Sequence, residues 1–260
     1  MRQIEHSGQL SALLLGEMKR GVVTNALPNA VEQRREIAAG SLWAHTWAGG
    51  LLLLHRRAAG WRTDFYLRDM EGPSGFVPDG PAVMEIAMRP RDEKLRQALS
   101  FWQKEGFLPL FRRRRLALPP GTRTDAGAFP VRAAGPGERE DVQKILSECF
   151  DPLTGCIPAA GELERELEEG LFLLALAPGG GAAGLLHMRQ ERQGTQLRHL
   201  AVTGPFRKRG AARSLLAAYL ERTQGPSRVW VREDNAEACR FYEKNGYRPD
   251  GWTSTVLRMG

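Results

Sequence analysis

The sequence predicts an α/β fold, mixed β-sheets flanked by helices, in two successive halves. Three observations carry this. A Pro- and Gly-rich stretch over 119–128 breaks the 260-residue chain nearly in half. After it, apolar runs and helical periodicities alternate in the order β-α-α-β-β-β-α-β-α-β. A twelve-residue motif also occurs twice: Ala98-Leu-Ser-Phe-Trp-Gln-Lys-Glu-Gly-Phe-Leu-Pro109 aligns with Ala238-Cys-Arg-Phe-Tyr-Glu-Lys-Asn-Gly-Tyr-Arg-Pro249 at a constant offset of 140 residues. Five identities and two aromatic matches in that window point to a duplicated unit. The expected organisation is a domain over 1–118, a linker over 119–128 and a second domain over 129–260, since the chain well exceeds the ~150 residues of a typical domain.

The first half reads as helices over Ser7–Arg20 and Ala30–Ala39, strands over Leu42–Thr46, Gly50–Arg56, Thr63–Arg68 and Val83–Met88, and a helix over Glu93–Glu105 that ends at Gly106. In the second half Phe129–Arg132 is a short strand. Val142, Ile145, Leu146 and Cys149 fall at i, i+3, i+4, i+7, one face of a helix that starts near Glu138. A loop over Asp151–Gly161 leads to a helix over Glu162–Glu169. The compact apolar run Leu171–Ala177 reads as a buried strand, followed by strands over Ala183–Arg189 and Gln196–Val202. A helix over Gly210–Thr223, a strand over Arg228–Val231, a helix over Ala236–Lys244 capped by Gly246 and a strand over Trp252–Arg258 complete the chain.

Hydrophobic residues make up 42% and charged residues 26%, the balance of a globular protein. The longest plainly apolar stretch, Leu171–Ala177, is far short of the ~20 residues of a membrane span, and the first residues lack a secretory apolar core. A soluble, cytoplasmic protein without a membrane partner is expected. Most of the +7 net charge lies in the first half, which has 19 Lys and Arg against 13 Asp and Glu over residues 1–125. The run Arg112–Arg115 reads either as a polyanion patch or as an alternating strand between Leu110, Phe111, Leu116 and Leu118. No nucleic-acid motif accompanies it, so the strand is preferred and nucleic acid is not the expected partner. Cys149, Cys156 and Cys239 have neither CxxC spacing nor zinc-finger histidines, so reduced thiols and no metal are expected.

The chemistry concentrates in Leu197–Leu216, which reads strand, basic turn, helix. A helix's first turn presents unpaired N–H groups and partial positive charge, an anion site by construction. Gly210 permits close approach, Ala211 and Ala212 keep the entrance open, and Arg207, Lys208, Arg209 and Arg213 raise the potential. A diphosphate suits that description, although the glycine spacing is that of neither a Walker loop nor a dinucleotide fingerprint.

Here the sequence resembles the GCN5-related N-acetyltransferase (GNAT) superfamily. Its acyl-CoA loop, Arg/Gln-x-x-Gly-x-Gly/Ala, is matched by Arg207-Lys-Arg-Gly210-Ala-Ala212. The strand before it is matched by Leu200-Ala201-Val202 with Pro205, and the segment after it by Val229-Trp-Val231, Asn235, Ala238, Phe241-Tyr242-Glu-Lys244 and Gly246-Tyr247. The resemblance covers roughly residues 129–260. It implies that the backbone of Leu200, Ala201 and Val202 pairs with the pantetheine arm of acetyl-CoA. It gives the pyrophosphate to the amides from Lys208 to Arg213, and Asn235 and Phe241 to the cofactor cleft. Tyr242 would protonate the leaving thiolate, or pack as Trp102 does in the first copy. His199 or Glu233 would take the amine's proton, directly or through water.

The first copy departs from the pattern where it counts. Asp69–Ala82, rich in Gly and Pro, is too short and broken for a phosphate-binding helix and holds no Arg-x-x-Gly-x-Gly/Ala. The expected architecture is therefore two GNAT-like domains in tandem, the first degenerate, with Trp43, Trp47, Trp61 and Trp102 as core. The expected activity is transfer of an acetyl group from acetyl-CoA to a primary amine on a small molecule or peptide, with no metal, in a monomer or homodimer. The alternatives are a non-catalytic acyl-CoA-binding module and a transferase for a longer acyl group.

Overall fold

The computed structural model describes residues 1–18, 21–27 and 29–260. They form two compact units, Met1–Arg113 with Gly251–Gly260, and Arg114–Asp250. The stretch read as a linker, 119–128, thus belongs to the second unit, and the C-terminal residues belong to the first.

The first unit contains β1 (Arg2–Gln3), α1 (Ser7–Met18), β2 (Val23–Thr24), α2 (Ala30–Ala38), β3 (Leu42–Trp47), β4 (Gly50–Arg57), β5 (Gly60–Leu67), β6 (Ala82–Met88), α3 (Glu93–Lys104) and the start of β7 (Leu108–Leu118). The helix expected over Ser7–Arg20 is seen as far as Met18; Lys19 and Arg20 lie outside the described residues. β3, β4 and β5 form an antiparallel meander with β1 on its outer side, and β6 joins β5 in parallel. β4 reads as an unbroken Leu51–Leu54 run because both faces of the sheet are covered. Leu52 and Leu54 enter the core with Phe65 and Trp102, while Leu51 and Leu53 enter a second core with Ile4 and Leu42. Trp61 and Trp102 are buried in that first core and Trp43 and Trp47 pack against it, as expected.

One charged group interrupts these apolar layers. His55 on β4 is buried, with Nδ1 2.7 Å from Glu36 and Nε2 3.3 Å from Asp64, and Arg57 donates to the other Glu36 oxygen at 2.7 Å. Burial by itself would lower the pKa of His55, but the hydrogen bonds and charges of Asp64 and Glu36 outweigh it and lift the imidazole to about 9. Burial likewise opposes the charge on Glu36 and Asp64, and is overcome by His55 with Arg57 on Glu36 and by His55 with Arg62 on Asp64, so both carboxyls are lowered.

The second unit contains the end of β7, then β8 (Val131–Ala133), α4 (Arg139–Cys149), α5 (Ala160–Glu168), β9 (Phe172–Leu176), β10 (Ala182–Glu191), β11 (Gly194–Val202), α6 (Ala211–Arg222), β12 (Ser227–Arg232), α7 (Ala236–Lys244) and the start of β13 (Arg248–Met259). The strand order is β7-β12-β11-β10-β9-β8. β8 to β11 are antiparallel neighbours, and β11 runs parallel to β12. α6 and α7 cover one face, packing Leu215, Leu216 and Tyr242 onto Leu173, Ala175 and Leu186. α4 and α5 cover the other, packing Val142, Leu146 and Leu163 onto Phe172, Leu174 and Leu185. The alternation of β9 and β10 between two cores explains their uninterrupted hydrophobicity.

The duplication read from the sequence holds at atomic detail. Gly106 and Gly246 both adopt left-handed φ, 95° and 89°, after their helices. Phe107 N–H bonds back to Trp102 O and Tyr247 N–H to Tyr242 O, the same helix-ending motif. The rings follow suit: Trp102 meets Phe107 edge-on at 5.5 Å, and Tyr242 meets Tyr247 at 5.3 Å. Both parallel strand pairs start from a glycine pressed on a proline carbonyl. A Cβ on Gly60 would lie 2.2 Å from Pro81 O, and one on Gly194 would lie 2.2 Å from Pro226 O.

The strand that follows each motif has residues in both units. Residues 253–259 of β13 pair antiparallel with β6 in the first unit, although they come last in the chain. Leu257 is fully buried there, beside Phe101, Trp102 and Phe107. The arginine run is the strand β7. Arg113 pairs with Glu85 in the first unit, while Arg114 pairs with Glu243 and Arg115 with Asp250 in the second. No helix among the described residues is long and apolar enough to cross a membrane.

Leu257→Ala is expected to cost about 2–5 kcal/mol in the first unit. Amide exchange should show lost protection in β6 while β9 and β10 keep theirs. The charge on His55 stabilises the first unit fully below its ordinary pKa near ~6.5, and that contribution should fade as pH rises through about 9. Acid reverses the argument, because Glu36 and Asp64 lose their contribution as pH falls through their lowered values. His55→Asn should lower stability at neutral pH by about 3–5 kcal/mol and abolish the alkaline loss, read from urea midpoints at a series of pH values.

Candidate active site

β11 and β12 pair for three residues and then part. The parallel ladder runs from Thr195 opposite Ser227 to Leu197 opposite Val229, yet β11 continues to Val202 and β12 to Arg232. The paired end is clamped: Tyr219 of α6 donates to Thr195 O at 3.2 Å and contacts Ser227 Oγ at 2.8 Å, and Ser227 Oγ meets Tyr247 Oη at 2.6 Å. The open end is a cleft flanked by backbone from Arg198 to Val202. Leu200 and Val202 are half-buried and Ala201 is buried. An extended polar chain is what such a strand edge binds.

The chain leaves β11 through a short 3-10 turn, Gly204–Phe206, and enters α6. Lys208 takes a left-handed φ of 60° and Gly210 one of 99°. Left-handed residues in a loop turn successive amides toward one point, a nest suited to an anion. Ser214 N–H is the first to bond back, to Gly210 O at 3.0 Å, so the amides of Ala211, Ala212 and Arg213 form the open first turn of a twelve-residue helix. Arg207, Lys208, Arg209 and Arg213 are exposed around it, and Arg207 Nε also bonds Val202 O at 3.2 Å, fixing the end of β11. A Cβ on Gly210 would meet nothing within 4 Å. Strand cleft and helix start therefore form one continuous site built from Leu200 to Arg213.

The remaining expected residues fall around it. Asn235 is exposed and caps α7, its side chain accepting from Ala238 N–H at 3.0 Å. Phe241 is half-buried on α7. Tyr242 is buried in the core between Phe241 and Tyr247, and burial followed by the nearby Tyr219 raises its phenol well above the ordinary value. It stays protonated at any working pH, so its hydroxyl is a proton donor only. Glu233 is exposed in the turn after β12.

His199 is buried, with both ring nitrogens in use. Nε2 lies 2.7 Å from Gly155 O and Nδ1 lies 3.0 Å from His187 Nδ1. A carbonyl only accepts, so His199 Nε2 carries hydrogen. His199 Nδ1 then accepts, and His187 Nδ1 donates to it. That leaves His187 Nε2 bare, 3.2 Å from Glu166 Oε2 on α5 and out of hydrogen-bond alignment with it. The contact is favourable only if Glu166 holds the proton. Burial raises the Glu166 carboxyl against the pull of Arg198, Arg165 and Arg189, and burial with Arg198 drives His187 well down, so both shifts disfavour an ionic pair. This chain joins α5, β10 and β11 to the loop after α4, where Asp151 also accepts from Leu153 and Thr154 N–H. Its members are scattered in sequence, and only the polar histidine inside an otherwise apolar strand, Ala183–Met188, marks it.

Among the described residues no three His, Cys, Asp or Glu side chains come together as a metal would require. The first unit has no helix among the described residues between β5 and β6, where the second has α6.

The pH dependence follows from these two shifts. The unfolded chain ionises Glu166 more readily as pH rises and protonates His187 more readily as pH falls, so each costs stability on its own side. Glu166→Gln cannot ionise. Its urea midpoint at pH 8 is expected to equal or exceed that of the unaltered chain, with a flatter fall as pH rises past the ordinary carboxyl range.

Comparison with known proteins agrees with this geometry. Residues 151–256 match the model of the family described as “Acetyltransferase (GNAT) domain”. None of the curated proteins matches the chain in sequence. Among solved structures, a tandem GNAT protein from the clavulanic acid biosynthesis pathway superposes with a TM-score of 0.60 at 12% identity, covering 99% of this chain and 97% of that one. A GCN5-related N-acetyltransferase from Kribbella flavida gives 0.55 at 15% identity, covering 98% and 96%. A GNAT-family acetyltransferase from Colwellia psychrerythraea gives 0.57 at 10%, covering 100% and 99%. Residues 151–256 thus match the GNAT acetyltransferase domain family, and the chain shares its fold with tandem GNAT structures.

Proposed function

We propose that the second unit transfers an acetyl group from acetyl-CoA to a primary amine, within a complex that holds both substrates. The observation that carries this reading is the continuity of the β11–β12 cleft with the open first turn of α6: an extended amide-bearing arm and a diphosphate, joined in that order, are the two chemical features that acyl-CoA presents. The backbone of Leu200, Ala201 and Val202 would bind the arm in strand fashion. The amides from Lys208 to Arg213 would take the pyrophosphate, with Arg207, Lys208, Arg209 and Arg213 supplying charge.

The amine nitrogen attacks the thioester carbonyl carbon, the carbon–sulfur bond breaks, the nitrogen gives up a proton and the sulfur gains one. Strand amides near Val202 would polarise the carbonyl. Tyr242 is the donor to sulfur in this scheme; its burial raises the phenol and opposes formation of the tyrosinate, so the role requires that the bound thioester reach its hydroxyl. For the amine's proton, Glu233 is the exposed one of the two expected bases, whereas His199 is buried with both nitrogens bound to Gly155 and His187. His199 positions the loop after α4 instead. The second reading, a non-catalytic acyl-CoA-binding module, draws support from the depth of Tyr242 in the core.

Calorimetric titration with acetyl-CoA tests the reading. One equivalent should bind the unaltered protein. Gly210→Glu places a carboxylate in open space at the anion site and should weaken binding at least about tenfold. Gly210→Gln carries the same left-handed backbone strain without the charge and should retain most of the affinity. Absence of binding to the unaltered protein would overturn the proposal. Tyr242→Phe should bind normally and lose about 10²-fold or more in turnover on an amine panel; binding with no turnover on any amine would favour the binding module.

A further inference from the structure

The stretch 119–128, read from the sequence as a linker, is anchored together with Phe129 across the candidate cofactor site at three places. Thr124 Oγ1 donates to Asn245 Oδ1 at 2.8 Å, at the end of α7, while the Asn245 amide is held in turn on Phe241 O. Gly127 lies directly on the first turn of α6. A Cβ there would fall 2.3 Å from Ser214 Oγ, 2.6 Å from Gly210 O and 3.0 Å from Ser214 N, two of them backbone atoms of the anion-binding turn. Phe129 N–H then bonds Ser214 Oγ at 3.1 Å, and its ring meets Phe206 edge-on at 6.0 Å. Glycine at 127 thus answers a close approach, and a random linker has no need of one.

Between the strap and the two helices lies a cavity of about 200 Å³, lined by Thr124, Asp125, Arg213, Phe241, Lys244 and Asn245. Two cations, the Asp125 carboxylate, one aromatic ring and amide and hydroxyl groups converge there, so the cations outnumber the one anion. Arg213 belongs to both this cavity and the open turn of α6, so a ligand with its diphosphate at that turn extends naturally into the cavity. A phosphorylated nucleoside suits the lining: cations for phosphate, the Phe241 ring for a base, polar edges for a sugar.

We infer that residues 124–129 form a strap that walls the nucleotide end of the acyl-CoA site, so that the connection between the two halves is itself part of cofactor binding. The inference rests on the proposed acyl-CoA reading. Its consequence is reciprocal. A ligand that fills the cavity steadies the strap, and a strap displaced from α6 weakens nucleotide-bearing ligands alone.

The exposed Arg123–Thr124 bond reports on the strap by limited trypsin digestion, with fragment 1–123 followed by mass. CoA is expected to slow this cleavage at least about fivefold. Adenosine 3′,5′-bisphosphate, which carries the nucleotide without the arm, should protect as well, and pantetheine should not. Gly127→Val forces the strap from the helix and should weaken CoA binding by tenfold or more. Thr124→Val removes one anchor without adding bulk and should weaken it about threefold, which keeps the test valid should the valine at 127 impair folding. CoA binding to the unaltered chain with no protection at Arg123 and unchanged affinity in both variants would overturn the strap. Failure of CoA to bind the unaltered chain would overturn the acyl-CoA reading beneath it, and the strap with it.

Discussion

The structure of the second unit depends on a parallel strand pair that is stopped after three residues. Gly194 lies so close to Pro226 O that any side chain would push the strands apart at their start, and the Tyr219, Ser227 and Tyr247 hydroxyls bind the paired end shut. With that end closed, the ladder stops at Leu197 opposite Val229 while both strands continue. Nothing in the ladder from Arg198 onward faces β12, and that unpaired edge is where the site lies. β11 leads through the Gly204–Phe206 turn into α6, so an unpaired strand edge and an open helix start follow one another in the chain, and the proposed acyl-CoA site rests on that pair.

The first unit repeats the clamp without the site. Gly60 meets Pro81 as Gly194 meets Pro226, and β5 and β6 pair for three residues as β11 and β12 do. Two things differ. No helix among the described residues lies between the two strands, and where they part β2 pairs with β5 while Asn25 donates to Glu85 O and accepts from Phe65 N–H, so the strand edge is filled. The tryptophans of this unit fill its core, and its principal ionic group, Glu36–His55–Asp64, lies among α2, β4 and β5.

The buried titratable groups of the two units hold opposite charge states for one reason. His55 has a carboxylate on each ring nitrogen and is held as imidazolium. His187 has a histidine on one side and a single misaligned carboxyl on the other, with Arg198 nearby, and is held neutral. Desolvation opposes the charge in both cases, and only the first has partners strong enough to overcome it. The first group therefore serves as an electrostatic tie in a core, and the second, through the His187–His199 and His199–Gly155 hydrogen bonds, as a tie to the loop after α4.

Local chemistry made much of this legible in the sequence. Helix ends at Gly106 and Gly246, the apolar strands from Leu51 to Leu54 and from Phe172 to Leu176, the duplicated motif and the basic turn before α6 all depend on residues adjacent in the chain, so periodicity and turn chemistry revealed them. What depended on residues far apart stayed hidden. The last ten residues belong to the first unit because Leu257 completes a core built some 150 residues earlier. His199 looks like a surface base in β11, and only the loop carbonyl of Gly155 and the ring of His187 make it a buried tie. The Pro- and Gly-rich stretch before Phe129 has the composition of a free linker, yet Gly127 is small because α6 passes within contact of it. The sequence by itself determined which elements form and where an anion is drawn. Tertiary packing decided which side chains remain available to act, since burial and pairing are properties of neighbours that the chain brings together only on folding.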